Sequence, residues 1–198
     1  NETIVRDMNN DGNLDIVVFD KFIGNPTAPS GVYYLENQGG NIASASNWIK
    51  RTIYQDNIAG RRKSFHRGYF MDVDGDGDQD IITSNLGAWV GWPGGWTGWL
   101  ENTGTFPYTP HTIGMGGGFL FAMFDVNADG FLDIVAPQLF IDAYDAVVKG
   151  GPDGTDPVGD SLIWFKNPGP AALDANPDLA WSRYTIDNWY TSSNPIGR

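Results

Sequence analysis

Three acidic nine-residue loops recur along the chain and constrain its fold more than any other feature. Their sequences are "DMNNDGNLD" at residues 7–15 (loop 1), "DVDGDGDQD" at 72–80 (loop 2) and "DVNADGFLD" at 125–133 (loop 3). Each has Asp at position 1, Asp or Asn at position 3, Asp-Gly at positions 5 and 6, and Asp-Ile from position 9. Because one register holds in all three copies, they indicate a repeated structural unit rather than unrelated Asp-rich turns.

The loops predict cation sites. Glycine at position 6 permits the positive φ of a sharp turn, so alternating side chains can converge on one point. Oxygens from positions 1, 3, 5 and 9 and the carbonyl of position 7 suit a hard cation with about six to eight ligands, which favours Ca²⁺ over Mg²⁺. We therefore expect about three Ca²⁺ ions. The expected ligands are Asp7, Asn9, Asp11, Asp15, Asp72, Asp74, Asp76, Asp80, Asp125, Asn127, Asp129 and Asp133 through side chains, and Asn13, Asp78 and Phe131 through carbonyls.

Each loop belongs to a longer unit. An aromatic segment ends at Asn 30 residues after the first loop Asp in "YYLENQG" and "GWLENTG", and 42 residues after it in "IWFKNPG". A Thr-Ile pair then follows in "RTI", "HTI" and "YTI". Every unit thus predicts four short strands, two around the loop, one aromatic and one with Thr-Ile. The loop spacings of 65 and 53 residues suit one four-stranded antiparallel meander, a β-propeller blade, per unit. We predict an all-β chain with units at about 1–65, 66–118 and 119–198.

The loop pattern Asp-x-Asp/Asn-x-Asp-Gly-x-x-Asp-Ile resembles the FG-GAP and VCBS repeats of integrin alpha subunits and of many secreted microbial and fungal proteins. The resemblance covers essentially the whole chain, and the missing Phe-Gly and Gly-Ala-Pro signatures favour the VCBS-like branch. It implies a typically seven-bladed propeller with Ca²⁺ between the first two strands of a blade, and a secreted or cell-surface location. Since propellers have about four to eight blades, we expect the remaining blades from the same parent chain or from another copy. The alternative is an open stack of three units, which would leave sheet edges exposed.

The amino-acid composition limits the classes of molecule that this chain is expected to bind. The chain has 12 basic and 24 acidic residues, a net charge of −12, which disfavours nucleic acid and anionic membranes. No apolar run reaches the length of a membrane span, and no cysteine is present for disulfide or thiol chemistry.

A ligand surface is expected on the face opposite the acidic loops. Strand parity places there the expected connection between units, "AGRRKSFHR" (59–67), and the expected loop between the second and third strands of unit 2, "GAWVGWPGGWTGW" (87–99). Indole rings stack on sugars and arginine pairs with carboxylates, so these segments predict binding of a glycan or an extracellular protein. The alternative is that the rings pack inside the units, as we expect for Trp99, and that the charges form a solvated run. The candidates are Trp89, Trp92, Trp96, Arg61, Arg62, Lys63, His66 and Arg67.

The alternative function is the propeller domain of a sugar-converting enzyme such as a lyase or dehydratase. Such chemistry needs an acid or base and a group that neutralises negative charge, for which His66, Arg67 and Tyr69 are the candidates. His111 is predicted on an outer strand, away from His66. No nucleophile elbow, phosphate-binding loop or zinc motif is present. The sequence therefore favours a secreted calcium-binding module over an enzyme.

Overall fold

The computed structural model describes residues 2–20, 30–56, 65–85, 96–115, 120–137 and 162–187. Across these ranges the chain is all-β, with one short α-helix and one 3-10 turn. Sheet 1 contains β1 (Glu2–Arg6), β2 (Asp15–Phe19), β3 (Ser30–Asn37) and β4 (Trp48–Asp56). Sheet 2 contains β5 (Phe65–Met71), β6 (Asp80–Asn85), β7 (Trp96–Glu101) and β8 (Thr109–Met115). Sheet 3 contains β9 (Ala122–Phe124), β10 (Asp133–Pro137), β11 (Leu162–Lys166) and β12 (Ser182–Asp187). The 3-10 turn is Ala45–Asn47, and helix α1 is Pro170–Ala175.

Each sheet is an antiparallel meander whose strand order follows the chain. The acidic loop of each unit joins the first two strands, and its position 9 Asp begins the second strand. In sheet 1, for example, Arg6 pairs with Asp15 and so closes loop 1 at both ends. The prediction of three four-stranded antiparallel units is confirmed.

The three sheets lie face to face in chain order. β2 buries alternate residues, Val17 and Phe19, because only one of its faces is covered by sheet 2. β6 is buried at every position, because sheet 2 packs against sheet 1 on one face, through Ile81, and against sheet 3 on the other, through Ile82. A side chain at Gly68 would collide with the Phe19 ring, so glycine there permits the close approach of sheets 1 and 2.

The recurring Thr-Ile pair has an inter-sheet role. Ile53 in β4 and Ile113 in β8 are fully buried. The carbonyl of Ile53 accepts the Tyr108 N–H at 2.8 Å, and that of Ile113 accepts the Trp181 N–H at 3.2 Å. Each of these bonds joins one sheet to the segment just before the last strand of the next. The burial of Ile53 and Ile113, rather than these backbone bonds, favours an apolar side chain at this place.

Two segments predicted as connections are partly strand, which corrects the sequence analysis. The segment 59–67 was expected to be a connection, but β5 begins at Phe65, whose N–H donates to the Asp20 carbonyl at 3.3 Å. His66 and Arg67 therefore lie on a strand. Trp96 was expected in a loop, but it begins β7 because its backbone pairs with Asn85.

No helix in the described part of the chain is long and apolar enough to cross a bilayer.

Candidate metal loops and their supports

The backbone of all three loops turns through two left-handed residues. The predicted positive φ at the position 6 glycine is confirmed. Position 4 is also left-handed, which the sequence analysis missed because its residues are Asn, Gly and Ala, and Ala gives no such signal. The φ values are 59° and 89° at Asn10 and Gly12, 83° and 97° at Gly75 and Gly77, and 57° and 93° at Ala128 and Gly130.

The position 1 aspartate caps this turn. In loop 2 the two carboxylate oxygens of Asp72 accept the N–H groups of Gly75 at 2.7 Å and Gly77 at 3.1 Å. The first aspartates of loops 1 and 3 accept the N–H groups of positions 5 and 6 at 2.9–3.2 Å. The turn thus orients a carboxylate at its start in every unit.

The position 9 aspartate joins the loop to the aromatic strand. Asp133 is fully buried, and its two oxygens accept the N–H groups of Val126 at 3.0 Å and Asn167 at 2.8 Å. Asp15 and Asp80 make the same pair of bonds in their own units. We call this contact between the position 9 Asp and the strand Asn the Asp–Asn tie; its members are Asp15 and Asn37, Asp80 and Asn102, and Asp133 and Asn167.

The asparagine of each tie also shapes its own turn. Its Oδ1 accepts the N–H of the glycine two residues later, at 2.9–3.2 Å in all three units. Its Nδ2 donates to the carbonyl of Leu14 in unit 1 and of Leu132 in unit 3, both at 3.1 Å. Sequence analysis found the loop and the asparagine separately but did not predict that they touch.

Loop 2 brings three carboxylates together. One oxygen from each of Asp72, Asp74 and Asp80 lies within 4.8 Å of the other two. Loops 1 and 3, both wholly inside the described ranges, contain no such group of three carboxylates. There the position 3 side chain is an asparagine whose amide donates to the position 5 aspartate, from Asn9 to Asp11 at 3.0 Å and from Asn127 to Asp129 at 2.8 Å.

Loop 2 is also the most buried of the three. Pro170 of α1 lies against Gly75, so the third unit covers part of this loop. Burial raises the pKa of Asp80 to about 7, against the lowering effect of its two backbone hydrogen bonds. Burial also raises the pKa values of Asp74 and Asp78, and neighbouring carboxylates add to both effects. Negative charge in loop 2 is therefore poorly stabilised by the protein itself.

The exposed loops behave differently. The Asn13 N–H lowers the pKa of Asp11 below its ordinary value, and the Asn127 amide does the same for Asp129. Lys166 Nζ also lies 3.3 Å from Asp129 Oδ2. The position 5 carboxylates of loops 1 and 3 thus already have hydrogen-bond donors.

The candidate catalytic residues have packing roles. His66 is buried in β5, with 8% of its surface exposed. Arg67 and Tyr69 both approach the Phe121 carbonyl, at 3.5 and 3.4 Å, and so connect sheets 2 and 3. Arg67 Nε also lies 3.6 Å from Glu2 of sheet 1.

The candidate glycan residues are only partly within the described ranges. Trp96 is half-buried, stacks on Tyr54 at 6.4 Å and donates its indole N–H to Thr112 Oγ1 at 3.0 Å. Trp99 is 1% exposed, as the packing interpretation predicted. Arg61, Arg62, Lys63, Trp89 and Trp92 lie outside the described residues.

His111 takes part in a contact that sequence analysis missed. It lies on an outer strand as predicted, but it is only 5% exposed. Its ring nitrogens lie 2.8 Å from Glu101 Oε2 and 2.8 Å from Asp178 Oδ1, and its ring packs on Trp99. Asp178 comes from unit 3, so no local signal in sheet 2 could have indicated this bridge.

Comparison of the chain with protein-family models, curated proteins and solved structures finds no match.

Proposed function

We propose that this chain is a secreted or cell-surface calcium-binding repeat module of β-propeller type, which binds glycans or extracellular proteins. The observation that carries the calcium assignment is the convergence of Asp72, Asp74 and Asp80 in loop 2. The likeness of the loops to FG-GAP and VCBS repeats supports it.

The residues of loop 2 fit Ca²⁺ in chemistry and charge. The donors are carboxylate oxygens, which a hard cation prefers over nitrogen or sulfur. Burial raises the pKa values of Asp74, Asp78 and Asp80, and a bound cation would lower them by stabilising the charged forms. Asp72, Asp74 and Asp80 would hold the ion, and its charge would offset the repulsion among them.

Loops 1 and 3 would bind more weakly. In those loops the Oδ2 of Asp11 or Asp129 already accepts the amide of Asn9 or Asn127, so this oxygen can bind an ion only if that hydrogen bond is lost or shared. Those loops also have Asn in place of the third converging carboxylate. The proposed order of affinity is therefore loop 2 before loops 1 and 3.

Calcium titration by isothermal calorimetry tests this assignment. We expect binding with dissociation constants of roughly 10⁻⁴ to 10⁻³ M, as in extracellular calcium modules, and a lower melting temperature in EDTA. Asp74→Asn should remove the tightest site, whereas Asp174→Asn, at an exposed position of α1, should leave the isotherm unchanged. An isotherm that Asp74→Asn does not alter would exclude loop 2.

The outer face of sheet 3 supports the propeller part of the proposal. Phe124, Tyr184 and Ile186 are 64%, 45% and 48% exposed. The corresponding isoleucines of sheets 1 and 2 are buried under the next sheet. The outer face of sheet 1 is likewise uncovered, with Val5 58% exposed. The exposed face of sheet 3 thus corresponds to the faces of sheets 1 and 2 that the next sheet covers. The exposed face of sheet 1 corresponds to the faces of sheets 2 and 3 that the preceding sheet covers.

We propose that a second copy of this chain covers these exposed faces, with sheet 1 of one copy packed on sheet 3 of the other. Such a head-to-tail contact is heterologous and gives a ring or an open chain of copies. Light scattering after size exclusion should show mass that rises with concentration, and Ile186→Asp should reduce it. A monomer at every concentration would contradict this assembly.

No second function is proposed, since His66, Arg67 and Tyr69 lie in packing positions within the described sheets.

A further inference from the structure

A cleft of about 330 Å³ opens between sheets 1 and 2 on the side of the acidic loops. This is the side opposite to the one on which a ligand surface was expected from the sequence. Pockets of small ligands start at about this volume. Its lining includes Tyr34, Glu36, Arg51, Asn102, Phe106 and Tyr108.

One wall of the cleft is aromatic. The ring of Phe106 stacks on Tyr34 at 5.8 Å and on Tyr108 at 5.5 Å, so the three rings form a continuous row. Tyr34 and Tyr108 are buried, whereas 41% of Phe106 is exposed. Phe106 is therefore the aromatic surface of this row that a flat or chair-shaped ligand can reach.

The other wall carries hydrogen-bonding groups. Arg51 Nε lies 2.7 Å from Glu36 Oε2, the Arg51 side chain is 42% exposed, and its guanidinium carbon lies 5.8 Å from the centre of the Phe106 ring. Asn102 differs from its counterparts Asn37 and Asn167, because no hydrogen bond from its Nδ2 is found among the described residues. The cleft lining thus includes Arg51 and Asn102 as donors and the Glu36 carboxylate as an acceptor.

The equivalent junction between sheets 2 and 3 has different side chains. There Glu101 and His111 stand in place of Glu36 and Arg51, by the repeat alignment. Asp178 places Oδ1 2.8 Å from the His111 ring, and Leu173 of α1 is buried in the core cluster that includes Trp99. Unit 3 thus presents a carboxylate oxygen to His111, whereas unit 2 presents the Phe106 ring to Arg51, with 5.8 Å between the guanidinium carbon and the ring centre.

We propose that this cleft binds a neutral saccharide. An apolar face of the sugar ring stacks on Phe106, and adjacent hydroxyl groups accept from Arg51 and donate to Glu36. Asn102 donates to a further ring substituent. Arg51 and Glu36 balance in charge, and loop 1 adds carboxylates beside the cleft through the segment of Asn9, so an acidic sugar is disfavoured. This inference rests on the glycan-binding role proposed above and places it on the side of the acidic loops; it does not depend on the calcium assignment.

Saturation-transfer NMR and calorimetry with methyl glycosides of glucose, galactose, mannose and N-acetylglucosamine test the site. We expect millimolar binding of at least one of these sugars, weakened about tenfold or more by Phe106→Ala and by Arg51→Met. Ile49→Ala, which removes a side chain of the same 41% exposure outside the cleft, should leave sugar binding unchanged. Arg51→Met breaks the ion pair with Glu36, whose side chain is 16% exposed, and the contact with the Phe106 ring, so the circular dichroism spectrum and melting temperature of this variant are compared with those of the wild type.

The possible results distinguish a failure of the cleft assignment from a failure of the glycan-binding role proposed above. A sugar that binds the wild type and both cleft variants equally would overturn the cleft and leave the glycan role intact. Absence of binding by all four glycosides would overturn both. Tighter binding of methyl glucuronide than of methyl glucoside would refute the neutral class. The calcium isotherm, measured on the same samples, should be the same in the wild type and all three variants.

Discussion

The Asp133→Asn substitution separates the structural role of the Asp–Asn tie from any role in binding metal. Asp133 is fully buried and accepts two backbone N–H groups, one on each oxygen. Asparagine has nearly the same shape but only one acceptor oxygen. Its amide nitrogen would therefore face the N–H of either Val126 or Asn167, and that buried donor would lose its partner.

The expected loss of stability follows from these two bonds. A hydrogen bond to a charged group contributes about 1.5–3 kcal/mol, and a buried donor without a partner costs about 1–3 kcal/mol. Because these two values partly describe the same loss, we expect the free energy of unfolding to fall by about 3 kcal/mol. For a chain of this size the melting temperature should then fall by about 6–12 °C.

Urea denaturation followed by circular dichroism in EDTA measures this change without a contribution from bound cations. Asp174→Asn makes the same chemical change at an exposed position of α1 and should alter the free energy of unfolding by less than about 0.5 kcal/mol. If Asp133→Asn costs less than about 1 kcal/mol in EDTA, the tie is not a stabilising contact and the reasoning is refuted.

Three further predictions concern single positions. Ala128→Gly should raise the free energy of unfolding by about 0.5–1 kcal/mol, because Ala128 has a φ of 57° that glycine adopts without strain; a lower melting temperature would contradict this. Gly68→Ala should lower the free energy of unfolding by about 1–3 kcal/mol, since the new methyl group meets the Phe19 ring, and a melting curve like that of the wild type would exclude the close approach of the sheets. Burial raises the pKa of Tyr108 from its ordinary value of 10 to about 12, so its neutral form is favoured in the folded state. The contribution of this tyrosine to the free energy of unfolding is therefore present below pH 10 and is lost as the pH rises toward 12. In Tyr108→Phe the free energy of unfolding should fall less between pH 10 and pH 12 than in the wild type, and an equal fall in both would count against this pKa shift.

The strands and loops of the fold could be predicted from the sequence because each is marked by residues that are close together in the chain. Each acidic loop, aromatic strand and Thr-Ile pair is marked by residues within a few positions of each other, and their order repeats three times. Asp15 and Asp133 were predicted as the starts of strands, and β2 and β10 begin at these residues. The starts of β5 and β7 were not predicted, because Phe65 and Trp96 are placed in strands by pairing with Asn85 and the flanking sequences carry no strand pattern.

The contacts of the candidate site could not be predicted from the sequence in the same way, because they join segments that are far apart in the chain. Asp133 and Asn167 are 34 residues apart, and the single sequence shows that both recur without showing that they touch. Helix α1 was also missed, although Pro170 at its start is a local helix signal. Its position against Gly75 depends on the packing of sheet 3 on sheet 2. The greater burial of loop 2 could therefore not be predicted from the loop itself.

Anomalous scattering from a crystal grown with calcium would locate the ion directly. The account predicts a peak in loop 2 bounded by Asp72, Asp74 and Asp80, at about 2.3–2.6 Å from their carboxylate oxygens. The peak should be stronger there than in loops 1 and 3 at limiting calcium. A calcium-saturated crystal with no peak within about 3 Å of these oxygens would contradict the claim that loop 2 is a calcium site.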